Sequence, residues 1–271
     1  MKIFDCFTYY DEDLLLDLRL NILYPYVDKF VIIESKQTDL NEVRELNFKM
    51  KNFEKFKDKI LYCPIENLTV DKSLKLKKNW SKHHLLDQSR RNKISDYIYG
   101  ASDNDWIIIS DVDEIPNPNV FNKFDIKKKY AFFEQRLFHY KFNLLNSSSP
   151  NWYGSRVCQK KFLKSPQWLR DFKIKKDRNI FKKLLFNPQI ILNGGWHFNS
   201  VRSPKDLIKK FKSFAHADDY KHILDEDIIK DKIERMEVLY DREHELRRVD
   251  LDDSFPDYFL KNKQKFAEFI I

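Results

Sequence analysis

At 271 residues the chain has material for one large α/β domain or one and a half ordinary ones, and 42% hydrophobic with 34% charged residues is the composition of a globular protein rather than a disordered one. Four glycines in the whole chain exclude both G-x-G-x-x-G and G-x-x-x-x-G-K-[ST], so bound phosphate must be neutralised by a metal or by Arg and Lys. The net charge of +8 is local: residues 157–183 hold ten Lys and Arg against two acids, and the remainder balances, which excludes a general polyanion coat.

In chain order, residues 2–7 are expected to form a strand and 11–23 a helix with Leu15, Leu18 and Ile22 on one face. Residues 29–34 and 59–63 are short β-rich runs, the second closed by Pro64. A long helix is expected over 79–99, ended by Gly100, followed by a buried strand at 106–110. Residues 130–145 read as paired strands around 136–140, and 147–150 as a loop. Residues 190–192 are a further strand, and Ser203-Pro204 supplies the cap and first position of a helix reaching about 217. The last fifty residues read as charged helices. Alternating strands and helices imply a mixed, mainly parallel sheet flanked by helices, in a single domain over 1–271. Within it, 1–116 would be a nucleotide half, 117–217 an acceptor half and 218–271 a helical C-terminal segment. Cys6, Cys63 and Cys158 show no zinc spacing and read as small hydrophobes in a reducing compartment. With no signal-peptide core and no apolar run near the ~20 residues that cross a bilayer, a cytoplasmic location is expected.

D-x-D occurs five times, but only Asp111/Asp113 follows a buried apolar strand, where open α/β sheets bind ligands. Asp111, Asp113 and Glu114 crowd three carboxylates into four residues. A divalent cation would relieve their repulsion, and hard oxygen ligands suit Mg²⁺ or Mn²⁺. The bland alternative makes Asp113 a turn cap. In Gly194-Gly195-Trp196-His197-Phe198, an extended chain puts both rings on one side and His197 on the other. His197 is therefore expected as a third metal ligand, with His216 in reserve; alone it would read as a core-edge histidine.

The stretches DCFTYYDEDLLLDLRLNIL from Asp5, VDKFVIIES from Val27, FKDKI from Phe56, Arg91-Asn92, WIIISDVDEIPNP from Trp106, GGWHF from Gly194 and KSFAH from Lys212 stand in one order across most of the chain. They resemble glycosyltransferase family 17, whose members include β-1,4-mannosyl-glycoprotein 4-β-N-acetylglucosaminyltransferases. The resemblance implies a GT-A-like (Rossmann-like) fold and inverting transfer, most often of GlcNAc, from a UDP-sugar to a glycan. It implies donor contacts at Phe7, Thr8, Glu34, Arg91 and Asp111, with metal at Asp111 and Asp113. Glu34 could equally be an exposed loop acid, and Arg91 a surface residue. The family order also places a catalytic base at Asp171, with Glu134 second. An anionic or lipid-linked acceptor, or an anionic membrane surface at the inner face, is expected to meet residues 157–183; a merely solvated segment is the alternative. Nucleic acid is not expected. Two other classes share some of these residues: a metal-dependent nucleotidyltransferase or nuclease, and a non-enzymatic polyanion binder using 157–183 with Phe162, Trp168 and Phe172.

Overall fold

The computed structural model describes residues 1–76, 83–172, 188–212, 223–240 and 244–271. Four strands run parallel in the order β3 (Ile60–Ile65), β2 (Lys29–Ser35), β1 (Ile3–Thr8) and β4 (Trp106–Asp111). The sheet continues antiparallel through β9 (Arg156–Gln159), β6 (Tyr130–His139), β7 (Leu144–Asn146) and β11 (Leu246–Arg248). The long β10 (Gln189–Asn199) runs parallel to β6 and antiparallel to the short β5 (Glu114–Pro116), while β8 (Asn151–Trp152) pairs with β6. The longest ladders are the parallel ones, so the sheet is mixed and mainly parallel, as expected.

Strand alternation explains the layering. Phe30 and Ile32 of β2 and Trp106 and Ile108 of β4 enter one core. Val31, Ile33, Ile107 and Ile109 enter the other. Strands buried on both faces need apolar residues at every position, which is why these segments read as unbroken apolar runs. Helix α1 (Asp13–Leu23) and the C-terminal α6 (Asp257–Lys261) cover the first face through Leu16, Leu18 and Phe259. Helices α2 (His83–Asn92) and α3 (Pro166–Asp171) cover the second through Leu86 and Leu169. A third cluster joins Tyr140 to α4 (Pro204–Phe211) and α5 (Glu226–Glu234). Ser203 caps α4 with Pro204 at its first position, as predicted. All three cysteines are free and buried, and burial pushes the Cys63 and Cys158 thiols up to about 12.

Several expectations need correction. β3 runs through Pro64, because an edge strand can turn a residue without N–H toward solvent. Within the described part of 79–99, α2 ends at Asn92 and a 3₁₀ turn follows at Lys93–Asp96, so Gly100 caps nothing. The paired strands expected over 130–145 do form: β6 reverses at Tyr140 (φ 63°) and β7 returns antiparallel to it, with Phe138 opposite Leu145. The C-terminal segment is not wholly helical, since β11 extends the sheet beside β7. Among the described residues no helix is long and apolar enough to cross a membrane.

Candidate active site

The carboxyl ends of β1, β2 and β4 open into one cleft of about 360 Å³. Thr8 and Tyr10 line it after β1, Asp39 after β2, and the turn from Asp111 to Glu114 after β4. That turn is strapped from beneath by Arg19 of α1, which is wholly buried. Its guanidinium pairs with Asp5 (2.8 and 2.5 Å) and donates to the carbonyls of Asp111 (3.1 Å), Val112 (3.3 Å) and Glu114 (2.7 Å). A fixed cation thus reads the backbone of the turn and leaves its side chains to face the cleft.

The three carboxylates have three different fates. Asp111 lies between two guanidiniums: Oδ1 accepts from Arg91 (2.9 Å) and Oδ2 from Arg170 (2.8 Å). Burial raises its pKa, but Arg170 and Arg91 outweigh that and hold it well below the usual carboxylate range. Glu114 accepts four bonds, from Arg170 (2.7 and 3.0 Å), the Trp152 indole (2.6 Å) and the Asp111 amide (2.8 Å), which fills its acceptor capacity. Asp113 faces His197, with Oδ1 3.6 Å from Nε2. Burial opposes charge on both; each nevertheless favours the other's ion, so His197 is raised and Asp113 lowered. The His197 Nδ1 is buried and has no hydrogen-bond partner among the described residues.

This arrangement revises the argument from crowded acids. Arg91 and Arg170 relieve the repulsion among the carboxylates, so crowding alone does not demand a metal. Among the described residues no three His, Cys, Asp or Glu side chains converge as a ligand set. Asp113 and His197 do fit a hard divalent cation, offering one oxygen and one imidazole nitrogen on the same wall of the cleft. Asp111 does not fit as a direct ligand, because a cation on it would sit beside the Arg91 and Arg170 guanidiniums.

The remaining predicted residues divide. Thr8 and Arg91 line the cleft, and His197 enters it while Trp196 and Phe198 stay in the core, as the alternation requires. Phe7 does not: it is fully buried, with the Arg19 guanidinium 4.4 Å above its ring. Glu34 is neither a donor contact nor an exposed acid. It is wholly buried, and Arg44 (2.5 Å), the Asn47 amide (2.7 Å), the Phe48 amide (3.1 Å) and the Tyr62 hydroxyl (2.9 Å) occupy its four acceptor sites. Arg44 in turn lies 3.9 Å over the Tyr10 ring, so Glu34 shapes the cleft wall at one remove. Asp171 and Glu134 both lie off the cleft lining. One residue along α3 turns the side chain by ~100°, so Arg170 rather than Asp171 reaches the carboxylate turn. Glu134 instead accepts from Tyr153 (2.7 Å). His216 and residues 173–183 of the basic segment lie outside the described residues.

Sequence reasoning missed Arg170, which sat within the basic segment and was counted there as surface charge. It also missed Arg202 and Lys210 at one corner of the cleft, where Arg202 Nη1 pairs with Asp11. Arg202 Nη2 lies 2.6 Å from Glu12 Oε1 but off the hydrogen-bonding direction. Lys210 donates to Ser200 (3.1 Å), and burial and Arg202 hold its pKa below the ordinary lysine value, against the pull of Asp113. Only the helix signal at Ser203-Pro204 hinted that this face mattered.

The family model described as Glycosyltransferase family 17 matches residues 1–246. No curated protein matches the chain significantly. Among solved structures, glucosyl-3-phosphoglycerate synthase from Mycobacterium tuberculosis, in complex with Mn²⁺, uridine diphosphate and phosphoglyceric acid, is similar at 10% identity and TM-score 0.35, over 96% of this chain and 91% of its own. A glycosyltransferase involved in glycosylation of the major capsid of the virus PBCV-1 shows 13% identity and TM-score 0.33, over 71% and 81%. The 2-C-methyl-D-erythritol 4-phosphate cytidylyltransferase of Francisella tularensis shows 9% and 0.34, over 71% and 90%.

Proposed function

This chain belongs to glycosyltransferase family 17 and is a glycosyltransferase, and from that premise we propose that it transfers GlcNAc, with inversion, from UDP-GlcNAc to a glycan acceptor. The observation that carries the donor site is Asp113: alone among the three turn carboxylates it is not held by arginine, and it faces His197 across 3.6 Å. Asp113 and His197 would hold Mn²⁺ or Mg²⁺, which when bound neutralises charge on a diphosphate leaving group.

The chain's own groups take the other roles. Arg202 and Lys210, on the same wall as Asp113, attract the diphosphate where no glycine-rich loop exists. Asp111, with one guanidinium bond on each oxygen, retains acceptor capacity for a ribose hydroxyl and is oriented by Arg91 and Arg170. Tyr10 and Trp152 supply ring faces along the cleft wall. Inversion requires an in-line approach of the acceptor hydroxyl, whose proton passes to a carboxylate of the cleft. In this reading residues 1–116 form most of the nucleotide half and 117–217 the acceptor half. An anionic, lipid-linked acceptor would approach through 157–183.

The test is a thermal-shift panel of UDP-, GDP- and CMP-sugars with and without Mn²⁺. A ligand at 100 times its Kd stabilises the fold by roughly 2.7 kcal/mol, so UDP-GlcNAc with Mn²⁺ should raise Tm clearly. Asp113→Asn should fold normally and lose the metal-dependent part of the shift. A shift confined to GDP- or CMP-sugars would refute the donor assignment.

A further inference from the structure

A second cavity, of about 730 Å³, lies on the other side of β10 from the cleft. Successive residues of that strand serve the two: Trp196 lines the cavity and His197 the cleft. Its walls come from the end of α1, the turn after β5, the bulge in β10 and the start of α6.

The lining is chemically specific. Its charges balance, with Arg136 and Lys261 against Asp253 and Asp257, which disfavours phosphate or any strongly anionic ligand. Four aromatic residues line it, Tyr26, Trp196, Phe255 and Tyr258, and Tyr26 is 46% exposed. Asn117, Asn119 and Asn193 supply carboxamides, groups that donate and accept at once. Among the described residues the side chains of Asn119 and Asn193 have no partner. Amides that match hydroxyls, together with aromatic faces that match ring C–H surfaces, describe a site for an uncharged polyhydroxylated chain.

The groove is also preformed. Asn193 (φ 53°) and Gly195 (φ 136°) make the bulge that opens it. Asn117 locks the neighbouring turn to that bulge, donating Nδ2 to the Asn193 carbonyl (3.1 Å) and its amide to the Gly194 carbonyl (2.8 Å). The Trp196 indole donates to the Ser254 carbonyl (2.8 Å), and Lys265 ties the C-terminal wall to Asp17 of α1 (2.6 Å). Walls held this way lose little freedom when a ligand settles between them.

We infer that this groove is a saccharide-binding site, separate from the transfer cleft, that holds a neutral stretch of an oligosaccharide. The inference deepens the glycan-acceptor reading and rests on it only for the occupant being part of the acceptor. Because both sites share β10, the groove anchors the glycan chain while its reacting end lies elsewhere.

The experiment is saturation-transfer NMR on the full chain, without nucleotide, using chitotetraose, mannotetraose and maltotetraose as probes. At least one should receive saturation at its ring C–H protons. Tyr26→Ala with Tyr258→Ala should weaken its binding at least tenfold, and Asn193→Gly, which keeps the left-handed backbone, should weaken it several-fold. Asp113→Asn should leave it unchanged, and the tyrosine variant should keep the wild-type thermal shift with UDP-GlcNAc and Mn²⁺. The groove is refuted if no tetrasaccharide binds, if the tyrosine and Asn193 variants bind like wild type, or if Asp113→Asn abolishes binding. A protein that binds tetrasaccharide but no UDP-sugar would overturn the transferase reading and leave the groove standing. The reverse result would remove the groove alone.

Discussion

Single side chains decide what the Asp111–Glu114 turn can do, and Arg19 decides first. Its charge is shut off from solvent, and among the described residues it meets Asp5, Ser110 and three carbonyls of the turn. Arg19→Met should therefore destabilise the fold by about 3–5 kcal/mol, because Asp5 is left as an uncompensated buried charge. Asp5→Leu added to Arg19→Met should recover part of that loss, since an apolar pair needs no desolvated ions. Urea unfolding of the three proteins checks this, and a double variant no more stable than the single would contradict it. Arg19 could be read in the sequence only as a lone cation on an amphipathic helix. Its partners lie 14 and about 92 residues away, and no spacing rule connects them.

At the scale of elements, the pairing of β10 with β5 sets the active site. The register puts His197 opposite Glu114 and Gly195 opposite Pro116, which brings the imidazole to Asp113. Gly195 makes that approach feasible: a Cβ there would sit 2.1 Å from the Ile115 carbonyl oxygen, on a backbone at φ 136°. Gly195→Ala should combine overpacking with backbone strain, together about 2–5 kcal/mol. It should also reduce Mn²⁺ affinity in the presence of UDP, because β10 must retreat. A variant with wild-type Tm and metal affinity would show that β10 and β5 are not so constrained. GGWHF announced the close approach and the alternation of rings and imidazole, but not the partner strand, because β5 is only three residues long and carries no pattern.

For the molecule as a whole, charge and pH matter most. His139 is 3% exposed, and burial, with help from His197, His244 and Lys210 and against Asp113, lowers its pKa to about 3. Its unfolded value is near 6.5, so between pH 6.5 and 3 the unfolded chain takes up a proton that the folded chain refuses. Stability therefore falls as pH drops through that window, by at most ~1.4 kcal/mol per pH unit from this group. His197 has the opposite sign: its raised pKa contributes stability below 6.5 that is lost as pH rises through the folded value. His139→Gln should shrink the stability difference between pH 7 and pH 4.5 by about 2 kcal/mol, and parallel pH curves would contradict this. The basic surface is wider than the sequence count implied, since Lys129 and Lys161 both lie over the Phe162 ring, at 5.5 and 5.3 Å. Reversing exposed Lys127, Lys129, Lys161 and Lys164 to Glu should raise KM for an anionic acceptor several-fold at low salt and spare donor binding. An unchanged KM would mean that this surface only faces solvent.

The sequence by itself determined the layered architecture, because a strand buried on both faces must be apolar throughout and a covering helix must repeat every 3.6 residues. It also determined which of five D-x-D copies stands at a strand end, and that His197 points away from its aromatic neighbours. Only the tertiary structure decided which carboxylate remains available, because that depends on Arg91 and Arg170 meeting Asp111 from helices 20 and 59 residues away. It likewise moved Glu34 from ligand to scaffold and took Asp171 and Glu134 off the cleft lining. Residue type and local period are properties of neighbours along the chain; the pairing of buried charges is a property of neighbours in space, and there the acids of this site are told apart.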